Sequence, residues 1–137
     1  MNIEYKLNPE LTDSEFIDIL NRSTLGERRP VDDIECIDGM LKHADITVVA
    51  LYNEKIIGIA RSIIDFNYSC YLSDLAVDAK YQKHGIGKKL IAITQAQLNK
   101  RCKIILLSAP NATEYYPKIG FTKHNSAWTL PRDKKLI

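Results

Sequence analysis

The sequence predicts an α+β fold with a mixed, mostly antiparallel twisted sheet, helices on both faces and one parallel β-α-β unit. Apolar residues first recur at helical spacing, and β-branched runs then fill the middle of the chain. A strand, a glycine loop, a helix and a further strand follow. At 137 residues, without a repeat or a Gly/Ser-rich linker, the chain has the length of a single domain over residues 1–137.

Composition excludes several classes of protein. Hydrophobic residues make up 45% and charged residues 26% of the chain, as in ordinary globular domains, which argues against a disordered protein. The net charge is only +2, so we expect no nucleic-acid partner. The chain has no apolar run of about 18 residues and no apolar signal region near its start. We therefore expect no membrane segment and a cytoplasmic location.

The cysteines and histidines predict no metal site. Cys36, Cys70 and Cys102 are odd in number and far apart, which fits neither a disulfide framework nor a zinc site. The three histidines share no spacing that suggests metal ligands.

The first half of the chain predicts a strand and two helices. Residues 2–7 alternate weakly and are expected to form a strand. Thr12 is the predicted N-cap of the first helix and Glu15 closes a capping box, while Phe16, Ile19 and Leu20 supply its buried stripe. The polar residues 26–30 break this helix, and a second one is expected over residues 32–42.

The second half predicts the remaining strands. Residues 46–52 and 55–66 are expected to pair as a hairpin around the turn Asn53-Glu54, and a third strand covers residues 71–77. After a helix, the apolar run 103–109 is typical of a strand buried on both faces. A short helical piece at 114–119 and two closing strands complete the prediction, with Trp128 covering the core.

The segment Gln82-Lys83-His84-Gly85-Ile86-Gly87 lies between a predicted strand and a predicted helix. Free N–H groups and the helix dipole favour an anion at such a helix start, and glycine lets a phosphate approach the backbone. An ordinary strand-to-helix turn is the alternative. The segment is not a Walker loop, because one residue separates its two glycines where a Walker loop has four. It is not a dinucleotide-binding fingerprint either, because Leu90 stands where that motif needs a small residue.

Two segments resemble those of a known family. LAVDAKYQKHGIGKKLI (75–91) is similar to the acetyl-CoA-binding motif of the GNAT family of N-acetyltransferases. EYYPKIGF (114–121) resembles the family's Phe/Tyr-Tyr-x-Lys-x-Gly-Phe segment, and Asn111 falls where the family often has an asparagine. The resemblance implies a GNAT-like fold with acetyl-CoA as cosubstrate.

The resemblance also implies a set of cofactor-binding residues. The backbone of Leu75, Ala76 and Val77 would pair with the pantetheine arm, although their side chains also suit a plain core. The remaining cofactor-binding residues that it implies are Gln82, Lys83, His84, Gly85, Ile86, Gly87, Lys88, Asn111 and Tyr116.

Catalytic roles follow from the same resemblance. Tyr116 matches the tyrosine that protonates the departing thiolate, and a phenol is a suitable acid for that step. A core aromatic is the alternative role, for which Tyr115 is the natural candidate. Pro117 departs from the family pattern, and Thr113 as N-cap would accommodate it in the first helical turn.

Asp74 precedes Leu75 where many family members carry an acidic residue. It would accept the proton of the acceptor amine, directly or through water, or would only attract the amine's charge. Arg28 and Arg29 lie in the loop between the first two helices, where members of the family often contact the acceptor, and they suggest an anionic group there, although a solvated loop is the alternative.

These features predict an acetyl-CoA-dependent N-acetyltransferase that acts on a primary amine of a small molecule by direct transfer in a ternary complex. A catalytically weak CoA-binding regulatory or scaffold domain is the alternative. A hydrolase would need a nucleophile elbow or a Cys–His arrangement, and neither is evident. The acceptor is left open, as is a choice between a monomer and a homodimer.

Overall fold

Five strands form one sheet in the computed structural model, which describes residues 1–137. Their spatial order, β1-β2-β3-β4-β5, is also their order along the chain. The strands are β1 (Glu4–Leu7), β2 (Ile46–Tyr52), β3 (Lys55–Ile64), β4 (Ser69–Val77) and β5 (Lys103–Ile105), and the helices are α1 (Asp13–Arg22), α2 (Ile34–Lys42), α3 (Ile86–Gln95) and α4 (Tyr115–Lys118). The chain divides into two compact units, Met1–Leu107 and Ser108–Ile137, and the sheet lies in the first.

Pairing within the sheet confirms the predicted fold class. The first four strands pair antiparallel, and β4 pairs parallel with β5 after the α3 crossover. This is the expected mixed sheet with one parallel β-α-β unit. None of the helices combines the length and the apolar character that crossing a bilayer requires.

Helix α1 begins with the capping box that the sequence predicts. The Thr12 hydroxyl accepts from the Glu15 amide at 3.1 Å, and the Glu15 carboxylate accepts from the Thr12 amide at 3.0 Å. These two bonds satisfy amides that have no partner within the helix. The apolar stripe of α1 is fully buried and belongs to one core with Val49 and Ile59 of the sheet.

Helix α3 covers the opposite face of the sheet. Ile59 belongs to the core under α1. Because successive positions of a strand face opposite sides of the sheet, the neighbouring position, Gly58, faces α3. A Cβ added at Gly58 would lie 3.1 Å from Leu90 Cδ1 and 3.2 Å from Ile86 Cγ2. The absent side chain therefore lets α3 pack close to the strand.

The middle hairpin and the second helix agree with the sequence to within a few residues. Asn53 and Glu54 have φ of 48° and 64°, which are the left-handed values that a two-residue hairpin turn needs. Helix α2 starts at Ile34 rather than at residue 32, because Asp33 is its N-cap and accepts from the Cys36 amide.

The end of the chain differs from the prediction. Strand β5 covers only Lys103–Ile105, and Ile105 is 44% exposed instead of buried on both faces. No closing strands form after residue 119, so β5 is an edge strand without a partner on its outer side. Trp128 is 91% exposed and covers no core. The domain extent of 1–137, the cytoplasmic location and a homodimer stay predictions.

Candidate acetyl-CoA site

One edge of β4 is only partly paired. Strand β5 pairs with Ser69, Cys70 and Tyr71, and no strand pairs with the rest of this edge up to Val77. An unpaired strand edge presents N–H and C=O groups that can bond to an extended partner. The three residues expected to contact pantetheine, 75–77, lie on this open stretch.

The glycine loop joins this strand to the start of α3. Gly85 is the N-cap of α3 with φ of +76°, a value that favours glycine, and no side chain caps the helix. The first helical hydrogen bond runs from the Lys89 amide to the Gly85 carbonyl at 3.1 Å, so the amides of residues 86–88 have no partner within the helix. A Cβ at Gly85 would have no atom within 4 Å, which shows open space at the helix start.

The other residues of the loop divide by exposure. Ile86 and Gly87 are buried, whereas residues 82–85 and Lys88 are exposed. The Gln82 side chain donates to the Val77 carbonyl at 3.3 Å and so bridges the strand end and the loop. The exposed residues Lys83 and Lys88 supply positive charge in the same segment as the free amides, which suits the binding of a phosphate group.

Asp78 fixes the start of the loop to α1. Its Oδ2 accepts from Arg22 Nη1 at 2.5 Å, and its Oδ1 accepts from the Lys80 amide at 2.9 Å. Arg22 also donates to the Ile56 carbonyl at 2.5 Å. Burial alone would raise the pKa of Asp78. The hydrogen bonds from the Lys80 amide and the Arg22 guanidinium outweigh this effect, so the pKa lies below its ordinary value.

Asp74 is fully buried between two arginines. Arg29 Nε donates to its Oδ1 at 2.6 Å, and Arg61 Nε donates to its Oδ2 at 2.5 Å. The same two guanidinium groups reach Ser73: Arg29 donates to the carbonyl at 2.7 Å and Arg61 donates to the hydroxyl at 2.9 Å. A buried carboxylate that two guanidiniums neutralise has no exposed surface for an acceptor amine. Its role as proton acceptor stays a prediction.

The two arginines expected to meet the acceptor differ in their contacts. Arg29 is bound to Asp74 and Ser73 and so has a structural partner. Arg28 is exposed, and its side chain forms no ion pair. Arg28 is therefore the arginine of the two whose charge is free for an anionic group.

The second unit holds the other expected site residues. Asn111 is exposed in a short 3-10 turn, and Tyr116 lies in α4 with its ring 5.4 Å from the ring of Phe121. Burial, with a smaller contribution from Tyr115, raises the pKa of Tyr116 to about 12. Tyr115 is the more exposed of the two, so the expectation that it is the core aromatic is wrong. Glu114, not Thr113, precedes α4 as its cap residue.

Sequence reasoning missed Arg61, Arg22 and Asp78. Arg61 interrupts an apolar run and is 3% exposed. A charged residue inside a buried strand requires a partner, and this signal would have pointed to a buried acid on the same face. Arg22 and Asp78 had no comparable signal, because their ion pair joins positions 56 residues apart.

Comparison with known proteins finds acetyltransferases, both by family model and among the curated relatives. A family model described as an acetyltransferase (GNAT) domain matches residues 25–129. An uncharacterized N-acetyltransferase of Pyropia yezoensis is 30% identical over 73 residues, which are 52% of this chain and 42% of that protein. A glucosamine 6-phosphate N-acetyltransferase of Trypanosoma brucei brucei is 26% identical over 95% of this chain and 96% of that enzyme. This chain spans about half the length of the first curated relatives that it matches.

Solved structures share the fold. A GNAT-family acetyltransferase from Streptococcus pneumoniae has a TM-score of 0.78 at 19% identity, covering 96% of this chain and 100% of that one. An aminoglycoside N-acetyltransferase solved in complex with CoA has a TM-score of 0.73 at 19% identity, covering 97% of this chain and 96% of that one. The match to the family model and the shared fold together show that this chain belongs to the GNAT family of acetyltransferases.

Proposed function

We propose that this protein transfers the acetyl group of acetyl-CoA to a primary amine of a small molecule, by direct attack within a ternary complex. The observation that carries the proposal is the open edge of β4, which leads directly into a helix start with free amides. An extended pantetheine arm that ends in a pyrophosphate fits these two adjacent features, because the open strand edge can pair with the arm and the free amides can bind the phosphates.

The two features fix a direction for the cofactor. The amides of residues 86–88 would hold the pyrophosphate beyond the C-terminal end of β4, with Lys83 and Lys88 adding positive charge. The arm would then run back along residues 77 to 75. The thioester would come to lie at the Asp74 end of this stretch, and the acceptor amine must reach that end.

Tyr116 is our candidate for the general acid. With its pKa raised to about 12, the phenol carries its proton at any physiological pH, although the same shift makes it a weaker acid than an ordinary tyrosine. When the neutral amine displaces the thiol, Tyr116 would give its proton to the sulfur as the C–S bond breaks, and the resulting tyrosinate would take up the proton that the acetylated nitrogen loses. Asn111 belongs to the same unit and is our further candidate for a cofactor contact.

A covalent acetyl-enzyme is the less favoured route. Burial raises the pKa of the Cys70 thiol, and burial with the charge of Asp65 raises that of Cys102. Both thiols are therefore mostly protonated near neutral pH, and a thiol is a poor nucleophile compared with its thiolate. This favours direct attack by the amine over an acetyl group carried on either of these two thiols.

The acceptor that we propose is a small amine that also bears an anionic group. The named substrate of one relative, glucosamine 6-phosphate, has both features, and exposed Arg28 supplies a charge for the anion. An aminoglycoside, as in the name of one structural neighbour, has the amine without the phosphate.

Calorimetry with acetyl-CoA and a free-thiol assay with a panel of amines test this function. We expect binding of acetyl-CoA and thiol release that depends on glucosamine 6-phosphate more strongly than on glucosamine. Binding without thiol release for any amine would favour the alternative, a CoA-binding scaffold domain. Absence of acetyl-CoA binding to the folded protein would contradict both.

A further inference from the structure

We propose that Arg29, Asp74 and Arg61 form an ion-pair cluster that positions the loop between α1 and α2 (residues 24–33) beside the thioester end of the cofactor site. In this proposal Asp74 is a positioning residue and not the base that accepts the amine's proton. The proposal rests on the function proposed above, because that function defines where the thioester lies.

Arg29 makes the hydrogen bonds that connect this loop to the sheet. Its guanidinium donates to the Asp74 carboxylate and to the Ser73 carbonyl, and it also donates to the Arg28 carbonyl at 2.8 Å within the loop. The other hydrogen bonds of residues 24–33 stay within the loop or run to the adjoining ends of α1 and α2. Losing the Arg29 contacts would leave the loop with only apolar contacts to the core, made by Leu25 and Val31.

Arg61 holds the carboxylate from the other side. Besides Asp74 and Ser73, it donates to the Met40 carbonyl of α2 at 3.1 Å. It is almost fully buried, so removing its partner would leave an unpaired charge in the core. The cluster thus joins the loop, α2, β3 and β4 at one point.

A β-bulge places Ser73 in the cluster. The register between β3 and β4 shifts after the pair Arg61–Asp74, so that Ser62 faces Leu72 and Ser73 is the additional residue. Such a bulge re-aims the backbone and side chain of the extra residue. Both the carbonyl and the hydroxyl of Ser73 consequently meet guanidinium groups.

Charge and burial argue against the base role. Two guanidiniums face one carboxylate, so the cluster carries a net positive charge and would repel an ammonium group rather than attract it. The carboxylate is also fully buried. Leu75, the residue after Asp74, begins the stretch of β4 proposed to bind pantetheine. A loop that is bound to Asp74 is therefore held beside the thioester end of the proposed cofactor site.

The first test measures the loop itself, by hydrogen exchange of residues 24–33 in the full-length protein. We expect Arg29→Gln and Asp74→Asn each to speed this exchange about tenfold or more, while acetyl-CoA affinity by calorimetry changes less than about twofold. Asp38→Asn is the matched control, because Asp38 is an exposed carboxylate paired only with Lys42. Unchanged loop exchange in both variants would overturn the proposal.

The second test measures turnover with the amine that gives the most thiol release. A positioning role predicts that both variants raise the acceptor KM about tenfold and that Asp74→Asn keeps the ionisation in the kcat–pH profile. Arg29→Lys, which retains the ion pair but not the fork of donors, should recover part of the loss. Loss of kcat and of that ionisation in Asp74→Asn alone would identify Asp74 as the base and overturn the proposal.

The outcomes separate this proposal from the proposed function. If the wild-type protein fails to bind acetyl-CoA or to turn over any amine, the function fails, whereas loop exchange still decides whether the cluster holds the loop. If Asp74→Asn does not fold, Arg29→Gln keeps the Arg61–Asp74 pair and carries the test alone.

Discussion

Tyr115 and Tyr116 are neighbours with different surroundings. The ring of Tyr116 packs edge-on against both Tyr115 and Phe121 and is the more buried of the pair. Burial disfavours the phenolate, which is why the pKa of Tyr116 is raised to about 12 and that of Tyr115 is raised as well. Only the resemblance of YYPKIGF to a family segment distinguishes their proposed roles.

Tyr116→Phe should lower kcat about 10²–10⁴-fold with little change in acetyl-CoA affinity, because it removes one general acid and keeps the ring. Steady-state kinetics and calorimetry measure the two quantities. Tyr115→Phe is the matched control and should keep kcat within about twofold. A large loss in Tyr115→Phe with a silent Tyr116→Phe would move the assignment by one residue.

Individual side chains show the limit of what the sequence predicts at the site. Asp74 was expected directly before the residues that pair with the cofactor, and the structure places it on the open stretch of β4. Arg61 gave a signal for a buried acidic partner, but Arg29 gave none, because it lies 45 residues from Asp74 and meets it only after β4 and the loop have packed.

At the level of elements, the strand–loop–helix from β4 to α3 is the feature that the sequence predicts best. Its local pattern determines both the strand and the helix start, because free amides and a left-handed glycine are properties of a few consecutive residues. The chemistry proposed for it can be tested by substitutions within the loop.

Gly85→Glu should abolish detectable acetyl-CoA binding, because it puts a carboxylate and added bulk where the phosphates are expected. Gly85→Ala controls for backbone strain at φ of +76°, and should cost about 1 kcal/mol of stability while most affinity remains. Gly39→Glu is a second control, since a Cβ at Gly39 meets no atom within 4 Å and lies on α2. Undiminished affinity of a folded Gly85→Glu variant would contradict the phosphate assignment.

The Arg22–Asp78 ion pair joins α1 to the start of the glycine loop. Asp78→Asn should lower the free energy of unfolding by about 2 kcal/mol at neutral pH, because it removes a buried, charge-assisted bond. Asp18→Asn is the control, since Asp18 binds the same arginine but is exposed, and its loss should cost about 0.5 kcal/mol or less.

The lowered pKa of Asp78 gives this effect a pH dependence. A carboxyl whose folded pKa lies below its unfolded value stabilises the protein above the unfolded value, and the contribution is lost as the pH falls through the folded one. Urea unfolding at about pH 7 and about pH 3 should therefore show a smaller difference between wild type and Asp78→Asn in acid. A difference that does not change with pH would disagree with the ion pair.

For the whole molecule, the single tryptophan reports on the C-terminal segment. Trp128 is 91% exposed, so its fluorescence should resemble that of tryptophan in water, be quenched readily by acrylamide and shift little on unfolding in urea. The same measurements in strong denaturant provide the control. A blue-shifted, protected emission would instead support the closing strands that the sequence pattern indicated.

The C-terminal differences have a common cause. An apolar run such as 103–109 predicts a strand buried on both faces only if other elements cover it, and strand length depends on partners rather than on the run itself. Here β5 has β4 on one side and no strand on the other, so regular pairing stops at Ile105.

The order of helices and strands, the capping box of α1, the hairpin at Asn53 and the glycine loop follow from the amino-acid sequence, because each depends on the spacing or conformation of nearby residues. Tertiary structure alone decided which edge of β4 stays open, that a bulge brings Ser73 to two arginines, and that Asp74 is buried between them. Ion pairs and strand edges join residues distant in sequence, and their geometry is set by packing rather than by local pattern.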